Sequence, residues 1–344
     1  MRRKAISYAL LSAALFGAST PLAKVMVGQV TPLLLAGLLY LASGLGLGLW
    51  LALRRRPLPA IPRPDWGWLA GAVAAGGVLG PALLMYGLVR TEGATASLLL
   101  NLEAVFTASV AWVVFRENVD RRVLMGMAAI VAGGVLLSWE QLPRAGGLIG
   151  PLLIAGACAA WALDNNLTRR VSGGDAVMLA CLKGLAAGSV NLALAYAQGA
   201  RMPATGALLI TGLVGLFGYG VSLVLFIMAL RDLGTARTGA YFSVAPFFGA
   251  LLALPILGEQ AGSMFWAAGA LMAIGVWLHV TERHEHEHVH AAVMHEHVHV
   301  HDEHHQHQHP AQWHGEEPHS HVHSHPRLRH RHPHYPDLHH RHEH

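Results

Sequence analysis

Apolar residues run along the first 280 positions in stretches of about 20, parted by short segments where Arg, Lys, Asp, Glu and Pro collect. A stretch of that length matches a hydrocarbon core about 30 Å thick. The pattern predicts an all-α integral membrane protein with ten spans, at about Ile6–Val27, Leu33–Leu53, Trp68–Val89, Thr95–Phe115, Val123–Ser138, Leu148–Thr168, Ala176–Ala197, Ala207–Leu230, Thr238–Leu257 and Gly262–Val280. Beyond them the pattern changes. All 25 histidines lie between His279 and His344, many at every second position.

Charge orients the spans. Arg2, Arg3 and Lys4 precede the first, and Arg54, Arg55, Arg56 and Arg63 follow the second. Arg116, Arg121 and Arg122, then Arg169 and Arg170, then Arg231 and Arg237 fill the alternate loops. The intervening loops hold only Lys24, Arg90, Arg144 and Arg201. The positive-inside rule puts the rich set and both termini in the cytoplasm, in a plasma (inner) membrane. The start resembles a secretory signal, but nine further apolar runs favour a retained first span. Because the basic excess sits in loops, nucleic acid is not implied. Cys158 and Cys181 fall inside apolar runs and read as small hydrophobes.

The halves repeat. Ala104-Val105-Phe106-Thr107-Ala108 running on to Glu117 aligns with Pro246-Phe247-Phe248-Gly249-Ala250 running on to Glu259, and Gly133 with Gly275, at an offset of 142. Phe16 to Lys24 matches Trp161 to Arg169 at an offset of 145. Five spans is an odd number, so two copies must be inverted in the membrane, and such repeats place a substrate site near the midplane between them. The boundaries are 1–140 and 141–280 for the repeats and 281–344 for the tail. The doubled segments ending in Glu117 and Glu259, with Ala245-Pro246 in the ninth span, resemble the EamA-type drug/metabolite transporter superfamily over about Ala5 to Val280. The resemblance implies ten helices in two inverted five-helix repeats and alternating-access movement of a small solute. The sequence departs from the family pattern at Glu103-Ala104, where a proline is common, and in its tail.

Ionisable residues inside spans mark function by default. Glu103 lies near mid-depth of the fourth span with Thr107 one turn later on the same face. It could pair with a cationic substrate or carry a proton, or it could hold a neighbouring helix. The sixth span carries Trp161, Asp164 and Asn165, and the seventh carries Lys183. Asp164 and Lys183 lie at similar depth and could pair, as a gate or substrate anchor or as a fixed brace. No phosphate loop is evident, and with no histidine before His279 to act as a base, the chain reads as a non-enzyme that requires no cofactor.

In an extended tail, alternate imidazoles share a side and chelate Zn, Ni, Co or Cu. The metal-ligand candidates are His284, His286, His288, His290, His295, His297, His299, His301, His305, His307, His309, His319, His321, His323 and His325. Prolines along the tail predict disorder. Imidazoles also titrate near neutral pH, so the tail could buffer or sense metal, or sense pH. The expected partners are the bilayer and a small-molecule or ion substrate, with a homodimer as one assembly open to the chain. The reading favours a secondary transporter that exports an amino acid or metabolite, through a site lined by the first, fourth, sixth and ninth spans. A divalent Ni, Co or Zn carrier, and a membrane-anchored metal buffer or sensor that transports nothing, stand as alternatives.

Overall fold

The computed structural model describes residues 2–54, 61–115, 121–139, 147–171, 174–233, 235–281, 285–290, 293–299, 319–325 and 328–333. The first repeat comprises α1 (Arg2–Val27), α2 (Pro32–Arg54), α3 (Asp65–Ala72), a π-helical segment π1 (Val73–Leu79), α4 (Gly80–Arg90), α5 (Gly93–Leu99), α6 (Leu102–Phe115) and α7 (Arg121–Trp139). The second comprises α8 (Ile149–Val171), α9 (Ala176–Ala197), α10 (Thr205–Val214), π2 (Gly215–Val221), α11 (Ser222–Leu233), α12 (Thr235–Phe242), α13 (Ala245–Leu257) and α14 (Ser263–Val280). The two orders are the same, down to a π segment at the same place in each.

Among the described residues seven helical stretches are long and apolar enough to cross a membrane. Ala245–Leu257 and Ser263–Leu278 are apolar but shorter, and α8 carries Asp164, Arg169 and Arg170. Large apolar side chains cover the outside, with Leu49 63% and Leu152 66% exposed, as a lipid-facing surface requires. Trp50 under the Arg54 guanidinium and Trp68 near that of Arg170 lie where α2 and α8 end and α3 begins. Tryptophan and arginine together suit a headgroup boundary.

The π segments have a local cause in the first repeat. Pro81 has no N–H, so the Gly77 carbonyl loses its helical donor. The Gly80 N–H bonds to Ala75 O, five residues back, which frees the Gly76 carbonyl as well. Neither is left unpaired. Gly77 O accepts from Asn191 Nδ2 at 3.0 Å, and Gly76 O accepts from the Tyr40 hydroxyl at 2.9 Å and Trp161 Nε1 at 3.0 Å. Three other helices are thereby tied to π1.

The fourth and ninth stretches, each a single run in the apolar pattern, are both broken. At Leu100–Asn101 the backbone tightens to three-residue bonds, and Asn101 Nδ2 donates to Leu98 O. At Ser243–Val244 the cause is Pro246, which cannot donate back to Phe242 O. α13 then ends on Gly258, whose φ of 66° is the left-handed turn that glycine adopts without strain.

Helix pairs across the repeats pack reciprocally. α2 lies on α9, where a Cβ on Gly44 would meet Leu185 N at 2.5 Å and one on Gly188 would meet Leu41 N at 2.5 Å. α7 lies on α14, where Gly133 faces Ala268 and Met272 while Gly275 faces Gly126 and Ile130. Residue i touching j′ while i′ touches j is the signature of a two-fold relation. Small residues let these backbones approach closely. Gly76, Gly133, Gly215 and Gly218 are tightly enclosed, whereas Gly212 has nothing within 4 Å of where its Cβ would stand.

In the tail, Glu285–His290 pairs antiparallel with Leu328–Pro333, and Val293–His299 with His319–His325. This corrects the expectation of a tail without regular structure for these stretches. Period-two alternation with Val289, Val293, Val298 and Val322 suits strand pairing.

A Cβ on Gly184 would lie 2.7 Å from Gly44 N, so Gly184→Val must push two backbones apart. It is expected to destabilise the protein by about 1–3 kcal/mol, read as a lowered Tm of the full chain in detergent. Gly212→Val should leave the Tm unchanged. Equal losses in both variants would show that helix propensity, not the crossing, is being measured.

Candidate functional site

A cavity of about 80 Å³ opens between the repeats. Its charged and polar walls are Glu103 from α6, Asp164 and Asn165 from α8, and Lys183 from α9. Its aromatic walls are Phe16, Tyr40, Trp161, Tyr219, Phe226 and Phe242, completed by Gly218, Ser222 and Leu223. The first, fourth, sixth and ninth stretches all contribute, as do the second, seventh and eighth. Both helix breaks deliver a residue here, Glu103 just after the first and Phe242 just before the second.

Asp164 and Lys183 are brought together. Lys183 Nζ donates to Asp164 Oδ1 at 2.6 Å, to Asp164 Oδ2 at 2.9 Å and to Thr168 Oγ1 at 3.0 Å. Thr168 in turn donates to Asp164 Oδ1 at 2.8 Å. Both residues are buried, so the pair holds two charges that neither could keep alone. Gly76 makes room for it, because a Cβ there would run into the Asp164 carboxylate.

Glu103 accepts from Asn165 Nδ2 at 2.7 Å. Trp161 lies across the cavity with its indole on Gly76 O. Thr107, one turn along α6, is half-buried and does not line the cavity. Sequence reasoning misses most of the rings as site residues, because aromatics spread singly over five helices carry no motif. They form one connected wall. Phe16 lies 5.8 Å from Trp161, 5.9 Å from Tyr219 and 5.5 Å from Phe242 between ring centroids. Tyr219 is 5.3 Å from Tyr40, and Phe226 is 4.9 Å from Phe242.

One end of the bundle is bridged by hydrogen bonds between helices. Glu259, turned by Gly258, accepts from Gly93 N at 2.6 Å and Ala94 N at 2.7 Å, capping α5. Lys24 at the end of α1 donates to the Leu88 and Thr91 carbonyls. Glu117, the counterpart of Glu259, lies outside the described residues.

Among the described residues no group of three or more His, Cys, Asp or Glu side chains is placed to hold a metal. Of the histidines proposed as ligands, His284, His301, His305, His307 and His309 lie outside the described residues. The backbone register pairs His286 with His332 and His288 with His330. It also pairs His295 with His323, His297 with His321 and His299 with His319, and His290 with Leu328 and Val293 with His325.

Apolar outer helices, two broken helices and a buried charged cavity between repeats together define a membrane transporter. The chain matches the EamA-like transporter family over residues 3–139 and 148–281, and it belongs to that family. It is 28% identical to an uncharacterized transporter of Methanothermobacter thermautotrophicus over 76% of this chain and 82% of that protein. It is 25% identical to the uncharacterized inner membrane transporter YedA of Escherichia coli K12, over 76% of this chain and 86% of YedA. A stretch covering 25% of the chain is 39% identical to the probable 4-amino-4-deoxy-L-arabinose-phosphoundecaprenol flippase subunit ArnE of Pseudomonas fluorescens, covering 74% of that protein. A crystal structure with a TM-score of 0.59 and 21% identity covers 80% of this chain and 98% of its own, a likeness of fold.

Breaking the buried pair from one side leaves an uncompensated charge. Lys183→Met is expected to cost about 3–5 kcal/mol, seen as a Tm loss in detergent. Asp164→Leu combined with Lys183→Met should recover most of it. If the double variant is as unstable as the single one, the pair is not the source of the loss.

Proposed function

We propose that the chain is a secondary transporter that moves a small organic solute by alternating access, with ten spans in two inverted repeats and both termini in the cytoplasm. The observation that carries this reading is a charged cavity lined by both repeats, with hydrogen bonds bridging the helices at one end of the bundle. Phe226 is seven residues from the end of α11, and Phe242 seven from the start of α12. Lys183 is likewise seven from the start of α9, and Asp164 seven from the end of α8. At 1.5 Å per residue the cavity floor lies about 10 Å from that end of the bundle. The basic loops cluster there, so that end is cytoplasmic. The Glu259 and Lys24 contacts bridge helices at the far end, which supports reading this state as inward-facing. Transport then requires the far contacts to part while the near end closes. The flippase subunits align over a quarter to a third of the chain, and the cavity is smaller than pockets for drug-sized ligands, so a small solute is favoured over a lipid. Export of an amino acid or metabolite is the direction and class this reading adopts.

The histidine tail, which begins where the family match ends, is proposed as a separate segment that binds Zn, Ni, Co or Cu. Isothermal titration of the full chain with Zn should show binding that disappears on truncation after Leu278. Binding kept by the truncated chain would move the site into the helices and reopen the metal-carrier reading.

Alternating access is tested by labelling. Leu223→Cys, in a Cys158→Ser and Cys181→Ser background, should react with an impermeant maleimide from the cytoplasmic side. Glu259→Gln should raise its reactivity from the outer side severalfold by loosening the α5 cap. Reactivity from one side only, unmoved by any variant of these contacts, would sink the alternating-access reading.

A further inference from the structure

We propose that the cavity selects a small monovalent organic cation with an apolar body, such as an arylalkylamine, and that Glu103 is its counter-charge. This rests on the transporter reading above and narrows its substrate class to cationic metabolites, away from amino acids.

The argument is one of unspent hydrogen-bonding capacity. An ammonium has three N–H donors. Those of Lys183 are all spent inside the protein, two on Asp164 and one on Thr168. Lys183 is therefore spent as an anion receptor, and among the described residues no arginine lines the cavity. Among the described residues a solute carboxylate or phosphate finds no free cation to meet it. Asp164 is equally spent, with its charge cancelled by Lys183. The Ser222 hydroxyl donates to Ser12 O at 2.9 Å and is closed off too.

Glu103 differs from all of these. Its contact among the described residues is an amide N–H on Oε1, from Asn165. An amide does not cancel a carboxylate's charge. Counting the lining groups, Glu103 is the acid without a basic partner, so the ionised cavity carries one negative charge. A single positive charge on the solute balances it.

The walls select for the same charge. Six aromatic side chains face the cavity, and the Phe16, Phe242 and Phe226 rings run on from Trp161 and Tyr219 without a gap. Ring faces are electronegative and attract ammonium groups, while their apolar area takes a hydrocarbon body. The Tyr219 hydroxyl lies beside Ser19. The neighbouring Ser19 hydroxyl donates to Phe16 O at 2.6 Å and keeps its own oxygen lone pairs for the Tyr219 hydroxyl, so Tyr219 contributes its ring to the wall.

The test uses the full chain in lipid nanodiscs and proteoliposomes, with phenethylamine, phenylalanine and phenylacetate as probes. They share one ring and carry net charges of one positive, zero and one negative at neutral pH. Calorimetry should show phenethylamine binding at least tenfold more tightly than the other two. Glu103→Gln should weaken it at least tenfold, and so should Phe242→Leu, which leaves the charge in place and guards against misfolding of the first variant. Equal or tighter binding of phenylalanine or phenylacetate, no binding of phenethylamine, or indifference to Glu103→Gln in a folded protein overturns the assignment. Uptake separates the two readings. Phenethylamine that binds through Glu103 but is not moved upholds the site and sinks transport of that class. Movement of phenylalanine without phenethylamine upholds transport and sinks the cation.

Discussion

The Gly76 carbonyl, released from its helix by the π1 segment, is the contact on which the site depends. It takes both the Tyr40 hydroxyl and the Trp161 indole, and so fixes α2 and α8 against the third helical stretch. Asn191 from α9 takes the neighbouring Gly77 carbonyl. A buried carbonyl without a donor is costly, so these side chains have little freedom to leave. The same glycine, lacking a Cβ, leaves the space into which the Asp164 carboxylate fits. One local irregularity thus orients two aromatic walls and admits the ion pair.

The repeats share this backbone device but not its chemistry. Gly218 in π2 stands 142 residues after Gly76, and its absent Cβ would meet Ser19 as that of Gly76 would meet Asp164. Where the second repeat has Asp164 the first has Ser19, whose hydroxyl turns to its own helix at Phe16 O. Where the second has Lys183 the first has Leu39, by the same spacing that relates Gly44 to Gly188. The two-fold frame therefore supplies two equivalent pockets in principle, and side-chain divergence concentrates charge on one of them. Glu103, from the first repeat, meets Asn165 from the second. The cavity is a joint product of both halves.

The two helix breaks interrupt that frame beside the cavity. Neither α5–α6 nor α12–α13 is a continuous rod, and each break sits at the cavity wall. A broken helix can tilt one half without dragging the other, which is the physical requirement for opening one end while closing the opposite one. The Glu259 cap on α5 ties the far half of one broken stretch to the end of the other. The two breaks are thus coupled through a contact that dissolves when two hydrogen bonds part.

Much is legible in the chain itself. Apolar run lengths, the spacing of arginines and the offsets of 142 and 145 reveal membrane helices and a doubled unit, because a bilayer imposes a length on every span and duplication leaves a register. Glu103, Asp164 and Lys183 stand out because charge within an apolar run is expensive wherever it points. What the pattern does not supply is direction around each helix. Phe16, Tyr40, Tyr219, Phe226 and Phe242 look like any other apolar or interfacial residue until the helices that carry them turn them to one side. Whether Lys183 is free or spent, and Glu103 paired or unpaired, depends on contacts 15 to 62 residues distant in sequence. The sequence by itself determined a two-fold membrane bundle. Only tertiary packing decided which of its few charges cancel and which one remains.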